Sequence, residues 1–261
     1  KWDLPLLQWL LSKGANPYVK TVDDTCSALA WAVYHGRTPF VDLLIRHGAE
    51  LTTSQCTWIP LPETVSWSVW ENAGREEEAE ENESFLMLAL ACWGRHEALV
   101  TYLFETQADL SDRELMMEHG SLPLYMAVHQ DCEAIVKELI KNGAPVNGIV
   151  SFSSVALEAA VRVDSVAMAR LLVENGANTG AIPSLITGAA RFRSIACAQE
   201  LLRIDPSAVS KTSISNALSP SSNANCLRAD GAEAVARHWR AAVITELSSA
   251  VSVSEQYCSY S

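Results

Sequence analysis

Lysine and arginine are scarce in this chain. They number 19 among 261 residues, against 31 aspartates and glutamates, and the formal net charge is −12. Phosphate backbones are held by clustered cations, so no nucleic acid is expected as a partner. No apolar run approaches the ~18 residues of a membrane span, and no membrane partner is expected either. Charged residues make up only 19% and hydrophobic ones 49%, which excludes wholesale disorder. No P-loop, GxGxxG, HExxH or GxSxG stands in the sequence, so no cofactor is implied. Paired cysteine spacings are missing too. Seven cysteines lie singly at Cys26, Cys56, Cys92, Cys132, Cys197, Cys226 and Cys258. An odd number without CxxC spacing argues against a disulfide framework and for a reducing compartment, cytoplasm or nucleus. No signal-peptide pattern opens the chain. It starts at Lys1 in mid-pattern, and we expect a fragment of a longer, eukaryotic-type protein.

What the sequence does have is a repeat. LLSKGAN ending at Asn16, LLIRHGAE ending at Glu50, LIKNGAP ending at Pro145 and LLVENGAN ending at Asn178 are copies of one motif. A weaker copy, YLFETQAD, ends at Asp109, and a decayed one, LLRIDPS, ends at Ser207. Positions Gly14, Gly48, Gln107, Gly143, Gly176 and Asp205 are therefore spaced by 34, 59, 36, 33 and 29 residues. A period near 33 with one oversized gap describes a helical array carrying an insertion. A second motif precedes the first within the periods: SALAWAVYHG from Ser27, SFLMLALACWG from Ser84, LPLYMAVHQD from Leu122, VALEAAVRVD from Val155 and SLITGAARFR from Ser184. These are short helices with small residues on one side, while the Leu-rich motif forms a second helix ended by Gly-Ala. Neither helix can bury its apolar face alone, so the pairs must stack.

Leu122-Pro123-Leu124-Tyr125-Met126-Ala127, followed by Ile135-Val136, Leu139-Ile140 and Gly143-Ala144, resembles the ankyrin repeat, and residues 155–178 match equally well. The resemblance covers roughly residues 4–206 apart from the insertion. It implies an all-α solenoid of stacked helix-turn-helix pairs. No copy carries the full Thr-Pro-Leu-His, and Asp131, Asp164 and Arg193 stand in place of the inter-helix glycine. Residues 4–13 are expected to be a second helix without its first. We expect residues 1–206 to form the stack, 207–247 a degenerate cap with a helix over 231–247, and 248–261 a Ser-rich tail.

The insertion, 50–83, is Trp-bearing and acidic. It holds Trp58, Trp67 and Trp70, and six glutamates between Glu76 and Glu83. Alternation of Val65, Trp67 and Val69 suggests a β-ribbon. Pro62 and Gly74 suggest a short helix instead. Its tryptophans either plug the insertion onto the stack or contact a partner. Its glutamates are either a solvated stretch or a docking site for a basic partner.

By resemblance, such stacks bind proteins on a concave face, through hairpin tips and the last two positions of each first helix. These are Tyr34 and His35, Cys92 and Trp93, His129 and Gln130, Arg162 and Val163, with Arg191 and Phe192 at the final repeat. The expected function is a non-catalytic interaction module whose partner is a protein or peptide. The partner-binding residues expected are Tyr34, His35, Trp93, His129, Gln130, Arg162, Trp58, Trp67 and Trp70. The alternative is a ligand-binding or catalytic pocket for a small molecule, between the stack and the insertion, with His35, His129 or Glu71 as acid or base. Cys92 with His96, and His129 with Cys132, lie within metal reach, but neither has a second matching pair, so no metal site is expected.

Overall fold

The computed structural model describes residues 2–18, 26–50, 83–148, 155–182, 185, 186, 189, 192 and 194–205. Among them the structure is helical, with no β-strand. The chain divides into two compact units, Lys1–Pro145 and Val146–Ser261. The first holds α1 (Leu4–Ser12), α2 (Ala28–Tyr34), α3 (Thr38–Arg46), α4 (Glu83–Trp93), α5 (Glu97–Thr106), α6 (Ala108–Ser111), α7 (Arg113–His119), α8 (Ser121–His129) and α9 (Glu133–Lys141). The second holds α10 (Val155–Arg162), α11 (Val166–Glu174), a 3-10 turn at Thr179–Ala181 and α12 (Ile195–Ile204). No described helix is long and apolar enough to cross a membrane. The insertion, the 231–247 helix and the Ser-rich tail lie outside the described residues.

Local signals start and stop these helices. Asp3 caps α1 by accepting the Leu6 N–H at 3.1 Å, and Ser27 caps α2 by accepting that of Ala30 at 3.1 Å. Pro5 and Pro39 occupy first turns, where a missing N–H costs nothing. Four second helices end alike, with a left-handed glycine at Gly14, Gly48, Gly143 or Gly176. The following alanine then donates back to a leucine carbonyl, as from Ala144 to Leu139 at 3.0 Å.

The turns inside the repeats use the same device. Gly36, Arg95, Asp131 and Asp164 all have φ between 53° and 62°. Left-handed backbone costs a side-chain-bearing residue about 1–2 kcal/mol, yet three of these four carry one. Asp164 offsets that cost, since its Oδ1 accepts the Cys197 N–H at 2.9 Å near the start of α12. The turns also fix the register. In the second complete repeat the left-handed residue is Arg95 rather than Gly94, so Trp93, not Cys92, is equivalent to Tyr34, His129 and Arg162.

Leu44, Leu103, Leu139, Leu172 and Leu201, at equivalent positions of the repeated second-helix motif, are all buried, whereas their counterpart Leu10 is exposed. Alanines of the first helices, such as Ala30, Ala32, Ala89, Ala91 and Ala127, are closed from solvent and allow near approach. In the first unit α2 packs on α4, and α3 on α5, on either side of the 59-residue spacing. The stack is continuous across the insertion. Tyr102 helps to close it by donating its hydroxyl to Asp42 Oδ1 at 2.7 Å. Burial, and then the Asp42 carboxylate, push that phenol up to about 12.

Two helices were unforeseen. Gln107 stands where other repeats have glycine, its backbone is extended, and the chain re-enters helix as α6 and α7. Asp112 caps α7 through the N–H groups of Glu114 and Leu115, and Leu110 and Met116 are buried.

In the second unit, Glu200 is buried and accepts from Arg170 at 2.7 and 2.9 Å and from Arg203 at 3.1 Å. The Arg170 hydrogen bonds, outweighing desolvation, hold its carboxyl below the usual range. Because the folded value is lowered, the stabilisation is complete above the ordinary glutamate pKa of about 4.3 and is lost as pH falls through the folded value. Glu200→Gln is therefore expected to lower stability at neutral pH. Urea titrations across the acidic range should show the gap to the parent chain closing; a constant gap would show that ionisation of Glu200 contributes nothing.

Candidate binding surface

The ends of the first helices in the first unit gather rings. His35 caps α2 and meets three of them: Trp31 at 4.4 Å, Tyr34 at 5.2 Å and Trp2 at 5.8 Å between centroids, all edge-to-face. Trp2 also meets Phe40 at 5.0 Å, and Arg37 lies 5.4 Å from the Trp2 centroid. In the following repeats Trp93 of α4 tilts against His129 of α8 at 5.5 Å, and Tyr125 approaches the same imidazole at 6.1 Å. Tyr34, His35, Trp93, His129 and Gln130 are all partly exposed. One side chain per repeat, at one place in each first helix, makes a row because α2, α4 and α8 pack in succession.

His96 ties that row together. Its Nε2 donates to the Tyr34 carbonyl oxygen at 2.8 Å, so this histidine has a structural task across the insertion. Its ring lies against Gly36 and Gly94, where an added Cβ would come within 2.4 Å of it.

Cys92 does not belong to the surface. It is 0% exposed, as are Val33, Val128 and Val161 at equivalent positions, and it faces the core. Arg162 lies in the second unit, where Glu158 pairs with it at 2.9 Å and its guanidinium lies 4.2 Å from the Phe192 centroid. Trp58, Trp67, Trp70 and Glu71 lie outside the described residues. Trp31 was missed by the sequence reading although it is 44% exposed. Its i,i+4 spacing to His35 was the available signal. No such signal existed for Trp2, which arrives from before α1.

Three of the described cysteines, Cys26, Cys92 and Cys132, are poorly suited to act as nucleophiles. Burial pushes the Cys26 thiol up to about 11, and raises Cys132 and, most of all, Cys92. Nucleophilic cysteines need the opposite shift. Among the described residues no three His, Cys, Asp or Glu side chains gather closely enough to hold a metal.

Comparison with known proteins identifies the repeat. Two family models match: ankyrin repeats (3 copies) over residues 86–183, and ankyrin repeats (many copies) over residues 3–45. No curated protein sequence matches the chain. Among solved structures, the ankyrin repeat domain of human ASB11 is 22% identical, with 69% of each chain covered and a TM-score of 0.46. The ankyrin repeat domain of Bcl-3, a member of the IkappaB family, is also 22% identical, with 78% of this chain and 82% of that one covered and a TM-score of 0.49.

Proposed function

Since the chain belongs to the ankyrin-repeat family, whose domains are protein–protein interaction modules, we propose that it binds a protein or peptide through the row of first-helix ends, without catalysis. The observation that carries this reading is the run of partly exposed rings at equivalent positions, Tyr34, Trp93 and His129, with His35 and Gln130 one position further on. Arg162 is proposed as a contact of the second unit by itself. Residues 1–206 serve as the repeat stack, with 207–247 as its cap. Trp58, Trp67 and Trp70 are proposed as further contacts, and the glutamates of the insertion as the feature that favours a basic partner. The pocket alternative depends on that same insertion, and no described residue supports it. A cytoplasmic or nuclear setting fits the odd number of cysteines and their lack of CxxC spacing.

Aromatic truncation at a central contact costs about 2 kcal/mol or more, whereas changes at a rim cost little. Once a partner is isolated, Trp93→Ala and His129→Ala should each weaken its binding about tenfold or more, ~1.4 kcal/mol, with melting little changed. Arg46→Ala and Lys141→Ala, at exposed second-helix positions, should leave affinity alone. Calorimetric titration of the four variants decides the matter: losses confined to Arg46 and Lys141 would overturn the assignment of the face.

A further inference from the structure

We propose that the first unit takes an extended acidic segment of its partner, with two carboxylates three residues apart lying on Arg37 and Arg95; the proposal rests on the binding face assigned above. Within the repeats of this unit, first and second helices are joined by turns at residues 35–37, 94–96 and 130–132. Apart from histidine, the charged side chains of these turns are Arg37, Arg95 and Asp131, all exposed, and Glu97 and Glu133 open the helices that follow. The acids are engaged. Glu133 pairs with Lys137, Glu97 accepts from the Cys132 thiol at 3.6 Å, and Asp131 has a partner as well. The two arginines differ. Among the described residues neither guanidinium makes a hydrogen bond or ion pair, whereas Arg46, on the second helix after Arg37, pairs with Asp42 at 2.9 Å.

The backbone of Arg95 is a second, independent sign. Its φ of 60° is one that glycine adopts freely and a long side chain does not. Asp164 meets the same cost through its bond to Cys197, and aspartate tolerates this conformation better than most residues. Arg95 gains no such bond among the described residues, although Gly94 stands beside it. Strain kept without an internal contact points to an external one. Arg37 lies 5.4 Å from the Trp2 centroid, and a guanidinium over a ring keeps its N–H fork for a carboxylate.

Spacing and charge then define the segment. The helices α2 and α4 pack on each other, and packed helices lie about 8–10 Å apart. An extended chain rises about 3.3 Å per residue, so positions i and i+3 span that distance. The residues between them lie at the level of Tyr34 and Trp93, the partly exposed rings that end those two helices. In a chain of net charge −12, acids placed elsewhere meet only repulsion, which makes the two positions selective. The glutamates of the insertion are left for a basic stretch elsewhere on the partner.

The test titrates the whole chain calorimetrically with three acetylated, amidated peptides whose cores are Glu-Leu-Phe-Glu, Gln-Leu-Phe-Gln and Lys-Leu-Phe-Lys. The Glu peptide should bind at least ~tenfold more tightly than the other two. Arg37→Gln and Arg95→Gly should each weaken it about tenfold, and Arg46→Ala should leave it unchanged. Arg95→Gly should also keep or raise the melting temperature, because glycine relieves the strain, so its loss of binding is not a loss of fold. Equal binding of the three peptides, preference for the Lys peptide, no binding at all, or Glu-peptide binding that ignores both arginine variants would overturn the acidic segment. The face is judged separately, by loss of the isolated protein partner on Trp93→Ala. That loss, with Arg37→Gln and Arg95→Gly silent, would leave the face standing and the acidic segment overturned.

Discussion

Leu139→Ala is expected to destabilise the chain by about 2–5 kcal/mol. Leu139 is 0% exposed and belongs to α9. It lies in a layer where α9 meets α8 and α5, and its carbonyl also receives the Ala144 N–H that ends the helix. Deleting its branched end removes transfer free energy and leaves a void that stacked helices close only in part. Against a total stability of typically 5–15 kcal/mol, that loss is large. Urea melts of the variant beside Lys141→Ala, an exposed neighbour two residues on, provide the measurement. Lys141→Ala should change stability by less than about 0.5 kcal/mol. A Leu139→Ala effect below ~1 kcal/mol would mean that this leucine does not fill the space between repeats.

Gly36→Ala should be nearly as damaging, for a different reason. Gly36 has a φ of +62°, where alanine is disfavoured by about 1–2 kcal/mol. A Cβ there would also come to 2.4 Å from His96 Nδ1 and 2.5 Å from its Cγ. That ring cannot simply turn aside, because its Nε2 holds the Tyr34 carbonyl at 2.8 Å. Overpacking of this kind adds roughly 1–3 kcal/mol, for a total of about 2–5 kcal/mol. The two contributions separate in a double-mutant cycle with His96→Ala. Alone, His96→Ala loses the bond to Tyr34; combined with Gly36→Ala, it removes the steric conflict and leaves only the backbone strain. Strictly additive losses would show that the imidazole does not press on Gly36 in solution.

The turn residues mark where sequence reasoning reached its limit. Gly94 invites alignment with Gly36, and that pairing puts Cys92 and Trp93 at the surface together. The backbone instead makes Arg95 left-handed, shifting the register by one position and turning Cys92 into the core. Composition could not reveal this, since a non-glycine residue in that conformation is uncommon and is tolerated only when the surrounding packing over-determines it. The same limit applies at Gln107. Loss of the capping glycine is visible in the sequence, but the helices α6 and α7 that replace the turn are stabilised by burial of Leu110 and Met116.

By itself the sequence determined the repeat, the helix pairs and their buried leucines, because hydrophobic period and glycine punctuation are local properties written once per repeat. It also led to the expectation of Tyr34, His35, Trp93, His129 and Gln130 at first-helix ends, together with Cys92, which the structure turns into the core. Only the tertiary structure decided that the stack is continuous across the insertion, that His96 bridges it to Tyr34, and that Trp2 and Trp31 complete the cluster around His35. Those contacts join residues as many as 62 positions apart. No periodicity encodes a pairing at that distance; it arises when α2 and α4 come together and their side chains must share one interface.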